Sequence, residues 1–219
     1  MIVNHHTRYL TFDALEDGNF SFHKQGTGDD IQYSKDNGST WTPLASDEPI
    51  SVITGDKVIW KSTIIPSSVN GVGLFSSSGK FNIGGNIMSL LYGDDFIGKT
   101  SLSGKNWAFY RLFYECTNVV EARNLILPAT TLSTLCYGSM FRGCKSLTTA
   151  PKLPATTLSN ACYSQMFMNC KSLTTAPELP ATKLVNECYD FMFEGCTKLS
   201  EITMLATDIS AWECLYGWV

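Results

Sequence analysis

The sequence predicts an α+β protein: a small β-sandwich followed by a short solenoid of 26-residue repeats. Three observations predict it. Short alternating runs fill the first 85 residues. A block of several residue types recurs every 26 residues in the second half. Each block carries an apolar stripe with helical spacing. The 219 residues are 44% hydrophobic and 16% charged, too apolar and too weakly charged for a disordered chain. Sixteen basic and twenty acidic residues give a net charge of −4, without the basic excess of a general nucleic-acid binder. No run approaches the ~20 apolar residues needed to span a bilayer. The N-terminus reads as a native start at Met1, with no charged segment leading into an apolar one, so no signal peptide is visible.

The first 85 residues read as strands and turns. Tyr9-Leu10-Thr11-Phe12 and Asn19-Phe20-Ser21-Phe22 alternate, separated by Glu16-Asp17-Gly18. Ile31-Gln32-Tyr33-Ser34 precedes Asp36-Asn37-Gly38, a hairpin signal that leads into Thr40-Trp41. Ser51-Val52-Ile53-Thr54, the Gly55-Asp56 turn and Lys57-Val58-Ile59-Trp60 make another strand pair. Strands at this spacing predict a β-sandwich-like domain over 1–85. Gly71, Gly73, Gly79, Gly84 and Gly85 loosen the chain. The run 86–92 predicts a short helix within a capping segment, 86–101.

Residues 102–219 form the repeats. Leu-Pro-Ala-Thr-Thr-Leu begins at Leu127 and again at Leu153, and Leu-Pro-Ala-Thr-Lys-Leu begins at Leu179. Cys136, Cys162, Cys188 and Cys214 keep the same step. So do Cys144, Cys170 and Cys196, with Cys116 displaced by two residues. Tyr137, Tyr163 and Tyr189 fall in register, as do Leu147, Leu173 and Leu199. Cys136, Met140, Phe141 and Cys144 lie at i, i+4, i+5 and i+8, which predicts a helical stripe. Cys162, Met166, Phe167 and Cys170 repeat it, then Cys188, Met192, Phe193 and Cys196. These twelve are the predicted core ladder. The runs 147–153 and 173–179 are extended, and stacked units would set them in a parallel sheet about 4.8 Å apart. Pro151 and Pro177 lack an N–H, so those strands should be short.

The pattern Cys-Tyr-x-x-Met-Phe-x-x-Cys-x-Ser-Leu-Thr-Thr-Ala-Pro-x-Leu-Pro resembles the BspA-like leucine-rich repeats of bacterial surface proteins and of proteins from phages and gut commensals. The resemblance covers about 102–219. It implies a leucine-rich-repeat solenoid that serves adhesion or protein recognition rather than catalysis. The units are a few residues longer than the family's commoner form, and Ala-Pro replaces its β-branched strand centre.

Candidate chemistry is sparse. Ser34-x-Asp36-x-Gly38-x-Thr40-Trp41 resembles the Asp-box of sialidase-type propellers, itself a structural hairpin there; a single copy reads as a hairpin here. The eight-residue Cys spacing is wider than metal sites use, and cysteines on the apolar stripe read as buried free thiols. His5, His6 and His23 join no nucleophile motif, and Asp29-Asp30 and Asp94-Asp95 read as solvated turn acids. Of the adjacent threonines 148/149 and 174/175, only one row faces outward, which argues against a flat ice-binding surface. No cofactor and no metal are expected.

Positions that change between units are expected to face outward. They are Arg142, Lys152, Asn160, Gln165, Met168, Glu178, Glu187, Asp190 and Glu194, the candidate interaction surface. Trp212 and Trp218 are the candidate cover of the last coil, which otherwise offers an open end for a homo-oligomer. The sequence thus predicts a non-enzymatic interaction or adhesion protein with a protein or glycan partner on a cell or virion surface. A second reading is a structural virion component, such as a phage head or tail-fibre protein. A glycan-processing enzyme, the third, rests on the Asp-box alone.

Overall fold

The computed structural model describes residues 8–25, 31–68 and 70–219; His5, His6, Asp29 and Asp30 lie outside them. Among the described residues, nine strands form two sheets. The larger contains β1 (Leu10–Ala14), β3 (Ile31–Ser34), β4 (Thr42–Leu44), β6 (Lys57–Lys61), β8 (Phe81–Asn86) and β9 (Val119–Ile126), in the order β4-β3-β6-β1-β8-β9. The smaller contains β2 (Gly18–Phe22), β5 (Ile50–Val52) and β7 (Phe75–Ser77), in the order β5-β2-β7. All pairs are antiparallel except β8 with β9. The alternation in β1 is what buries Leu10, Phe12 and Ala14 on one face.

Phe12 joins the sheets. Its ring lies 5.3 Å from Phe20, 4.8 Å from Phe75, 4.9 Å from Phe81 and 5.2 Å from Trp60. It also lies 5.8 Å from Phe113, the first ring of the stacked phenylalanine row of the repeats. One hydrophobic cluster therefore runs from the strands into the repeats without a gap. The helix predicted over 86–92 forms only as α1 (Ser89–Tyr92), because Asn86 ends β8. Ser89 is buried there: its Oγ donates to the Trp60 carbonyl and accepts from the Leu10 N–H.

The α+β class and the leucine-rich-repeat solenoid do not form. The chain is mostly β, and α1 is its only α-helix among the described residues. The predicted helical stripes are runs of turns instead, and the parallel sheet shrinks to β9 and isolated bridges such as Glu121↔Thr149, Thr149↔Thr175 and Thr131↔Thr157. Pro151 and Pro177 sit two residues beyond Thr149 and Thr175 and stop those bridges from lengthening.

The turns have a rule. In the unit starting near Ser133, Leu135, Ser139 and Gly143 have positive φ. Ala161, Gln165 and Asn169 repeat this, then Glu187, Phe191 and Gly195. A left-handed residue every fourth position cannot continue an α-helix. Even-numbered N–H groups close turns: Cys136 donates to Ser133, Gly138 to Leu135, Met140 to Tyr137 and Arg142 to Ser139. Odd-numbered ones cross to the next unit: Leu135 to Asn160, Tyr137 to Cys162, Ser139 to Ser164, Phe141 to Met166 and Gly143 to Met168. The two sets interleave, so the ribbon's peptide groups are satisfied by turn and neighbour alternately. Each left-handed non-glycine costs roughly 1–2 kcal/mol. A ribbon alone would not hold that shape; burial between neighbours offsets the cost.

What is buried is the predicted ladder: Cys136, Met140, Phe141, Cys144, Cys162, Met166, Phe167, Cys170, Cys188, Met192, Phe193 and Cys196. Phe113, Phe141, Phe167 and Phe193 stack at 5.3, 5.7 and 5.7 Å with planes 9°, 2° and 4° apart. Phe109, Tyr137, Tyr163 and Tyr189 form a second row at 5.7, 5.7 and 6.0 Å. The rings of the second row lie 11°, 12° and 19° from parallel, so the two rows stack in register from unit to unit.

Candidate functional site: the outward face of the turn ribbons

Residues between the core side chains form rows across the units, some half-buried or exposed and others, such as Gly138, Ser139, Ala161 and Ser164, buried. One row runs Tyr114, Arg142, Met168, Glu194, and a second runs Tyr110, Gly138, Ser164, Asp190. A third runs Trp107, Leu135, Ala161, Glu187, Glu213. Of the predicted surface positions, Arg142, Gln165, Met168, Glu187, Asp190 and Glu194 lie on this ribbon and are half-buried, while Asn160, at its entrance, is exposed. Lys152 and Glu178 are exposed too, but on the extended run beside the prolines.

The upstream end of the face is aromatic and cationic. The Arg111 guanidinium lies 5.0 Å from the Tyr110 ring and 5.1 Å from the Tyr114 ring. The Arg142 guanidinium lies 5.7 Å from Tyr114 and donates to Gln165 Oε1. Trp107, 40% exposed, meets Tyr110 edge-on at 5.0 Å. The Tyr110 ring lies across Gly138, where a Cβ would come within 3.0 Å of it, so the glycine lets the aromatic lie flat. Stacking fixes both guanidiniums while leaving hydrogen-bond donors for an anionic or hydroxyl-rich ligand. Arg111 Nε is enclosed without a partner.

The downstream end is acidic, with Glu187, Asp190, Glu194 and Glu213. Burial raises the Asp190 carboxyl above its ordinary range, and the charges of Glu187, Glu213 and Glu194 push the same way, against a hydrogen bond from Ser164 Oγ at 3.3 Å. Glu194 Oε2 is shut off from solvent and has no partner.

Sequence reasoning missed Trp107, Tyr110, Arg111 and Tyr114. The first unit carries two extra residues, so its outward positions were out of step with the others. The signal was present: Trp107, Arg111 and Glu115 are spaced by four like the left-handed positions later on, and Cys116 anchors the shifted register.

The other candidates have structural roles. Asp36 holds its own hairpin: it accepts from Ser34 Oγ at 2.6 Å, Thr40 N at 2.9 Å and Thr40 Oγ1 at 2.7 Å. Those bonds hold its carboxyl down to about 2. His23 pairs with Asp47 at 2.9 Å and Asp94 with Lys61 at 2.9 Å. The eight cysteines are free and buried. Tyr137, Tyr163 and Tyr189 are buried as well and present no ring outward. In the last unit Leu205, Ile209, Trp212, Tyr216 and Val219 are exposed, while Trp218 packs partly on the core. Among the described residues, no three His, Cys, Asp or Glu side chains converge as a metal site would require, and no helix is long and apolar enough to cross a membrane.

No protein-family model matches the chain, and neither a curated protein nor a solved structure matches it. Fold and face together define a mostly-β protein with a turn-built repeat stack and an outward surface divided by charge.

Proposed function

We propose that this chain is a non-catalytic recognition protein, which takes a protein or glycan partner of a cell or virion surface on the outward face of its turn ribbons. One observation carries the reading: Arg111 clasped between Tyr110 and Tyr114, with Trp107 and Arg142 alongside. Stacked arginine and tryptophan bind through apolar faces and directed donors at little entropic cost, because the rings hold the guanidiniums before the ligand arrives. Behind them the ribbons form a rigid support, and the core rows leave outer positions free to differ between units. That division suits recognition, where the scaffold is constant and the contacts are particular.

The test is a glycan and protein array probed with the whole chain, then with Trp107→Ala and Arg142→Ala. Both positions lie outside the buried rows. A hit that weakens about tenfold or more in both variants, with unchanged thermal unfolding, supports the reading. Binding that ignores both substitutions, or no hit on either array, overturns it.

A further inference from the structure

The ribbon face has a symmetry that a ligand for the arginine cluster does not use. Arg142, Met168 and Glu194 are equivalent residues of three successive units, so Met168 stands midway between a cation and an anion. Reversing the row end for end exchanges the two charges and leaves the methionine in place. A two-fold rotation does this to a second copy laid on the first. Direct translation would instead set Arg142 against Arg142.

We propose that a second copy of this chain docks antiparallel on the ribbon face, about a two-fold axis through Met168, so that Arg142 of each copy meets Glu194 of the other. This deepens the reading of the face as a recognition surface and rests on it. Arg111 and Glu115 lie one unit upstream of Arg142, and Glu187 and Asp190 accompany Glu194, so the reversal matches the Arg142–Glu194 pair alone. Beneath these three units the phenylalanine rings stack with planes 2° and 4° apart, and the tyrosine rings with planes 12° and 19° apart. The Arg142 guanidinium donates to the neutral Gln165 side chain and, among the described residues, makes no ion pair within 4.0 Å. Exposed ion pairs are individually weak and salt-screened. The dimer is therefore a salt-sensitive equilibrium, with the two Met168 side chains in apolar contact at its centre.

The test is sedimentation velocity of the full chain over the micromolar range at low and high salt, with thermal unfolding to confirm that each variant folds. The expected result is a monomer–dimer equilibrium that salt shifts toward monomer. R142E and E194R each weaken self-association about tenfold or more. Mixed together they form a heterodimer, because R142E brings two anions and E194R two cations. Met168→Cys cross-links to itself under mild oxidation and Lys152→Cys does not. A wild-type chain that stays monomeric throughout, or charge variants that fail to pair on mixing, overturns the proposal. A monomeric chain that still binds an array ligand through Trp107 and Arg142 removes the pairing alone and leaves the proposed function standing.

Discussion

The Cys170 thiol donates to the carbonyl oxygen of Phe141, one repeat earlier, at 3.0 Å. Cys144 does the same to Phe113 at 3.1 Å and Cys196 to Phe167 at 3.0 Å. A cysteine here fills a small apolar space and ties adjacent units together, a pairing of roles that neither alanine nor a larger apolar side chain offers. Burial pushes the Cys136 thiol up to about 12, and drives Cys144 and Cys170 well above the ordinary thiol range. Since the thiolate is the reactive species, these thiols should resist iodoacetamide in the folded protein. Peptide mass spectrometry should find Cys188, Cys196 and Cys214, in the last two units, labelled before them. Rapid native labelling of Cys170 at neutral pH would contradict this packing. Cys170→Ala should cost roughly 1–2 kcal/mol in chemical denaturation.

Gly143→Ala separates a turn ribbon from a helix by the sign of its effect. In an exposed helix interior the change would stabilise by about 1 kcal/mol. Here φ is +75°, and a Cβ would approach Glu115 Cγ to 3.0 Å. The left-handed backbone alone predicts a loss of roughly 1–2 kcal/mol. Thermal unfolding decides the matter, and an increase in melting temperature would exclude the ribbon.

The 26-residue step was legible in the sequence, and so were the Cys, Met and Phe positions of the three aligned units, whereas Phe109 and Phe113, which begin the two ring rows, were not. Lockstep recurrence of Cys, Met and Phe reports which side chains share an interior whatever backbone carries them. The backbone was not legible from that pattern. Positions 136, 140 and 144 with 137 and 141 fit one face of a short helix almost as well as a period of four, and nine residues are too few for the two to drift apart. The discriminating residues were Gly143, Gly195 and Asn169, types that tolerate left-handed backbone, at the same step of the unit. Even they do not suffice, because Leu135 and Glu187 adopt the same conformation only under the pressure of neighbouring ribbons. Of the positions that vary between the three aligned units, Arg142, Gln165, Met168, Glu187, Asp190 and Glu194 fall on the ribbon, and Lys152 and Glu178 fall on the extended run. The aromatic–arginine end of the face was hidden by the two-residue shift of the first unit.

The tyrosine row makes a prediction opposite in sign to ordinary core mutagenesis. The hydroxyls of Tyr137, Tyr163 and Tyr189 are buried without hydrogen-bond partners, while their rings stack. Removing an unpaired buried hydroxyl removes its desolvation cost and keeps the ring contacts. Tyr163→Phe should leave stability unchanged or raise it by up to about 1 kcal/mol. Tyr163→Ala should lower it by about 3–5 kcal/mol. Denaturant midpoints of the two variants measure both, and a large loss in the phenylalanine variant would show that the hydroxyl has a partner.

Two aspartates should pull the pH dependence of stability in opposite directions. Hydrogen bonds from Ser34 and Thr40 hold the Asp36 carboxyl down to about 2, from an ordinary value of 3.8. The folded state thus binds this proton less readily than the unfolded chain, so the contribution is present above the ordinary value and disappears as pH falls through about 2. Asp190 is the reverse. Burial first, then the charges of Glu187, Glu213 and Glu194, raise its carboxyl above 3.8. The folded state prefers it protonated, so its ionisation costs stability as pH rises through the raised value, and the cost persists at neutrality. Asp190→Asn should therefore raise the melting temperature at pH 7, by less as the pH falls toward 4. Asp36→Asn should lower the melting temperature at pH 7 and lose that deficit in acid. Melting curves of both variants against wild type from neutral pH to about pH 2 test the pair, and a parallel response of the two would refute the assignment of opposite shifts.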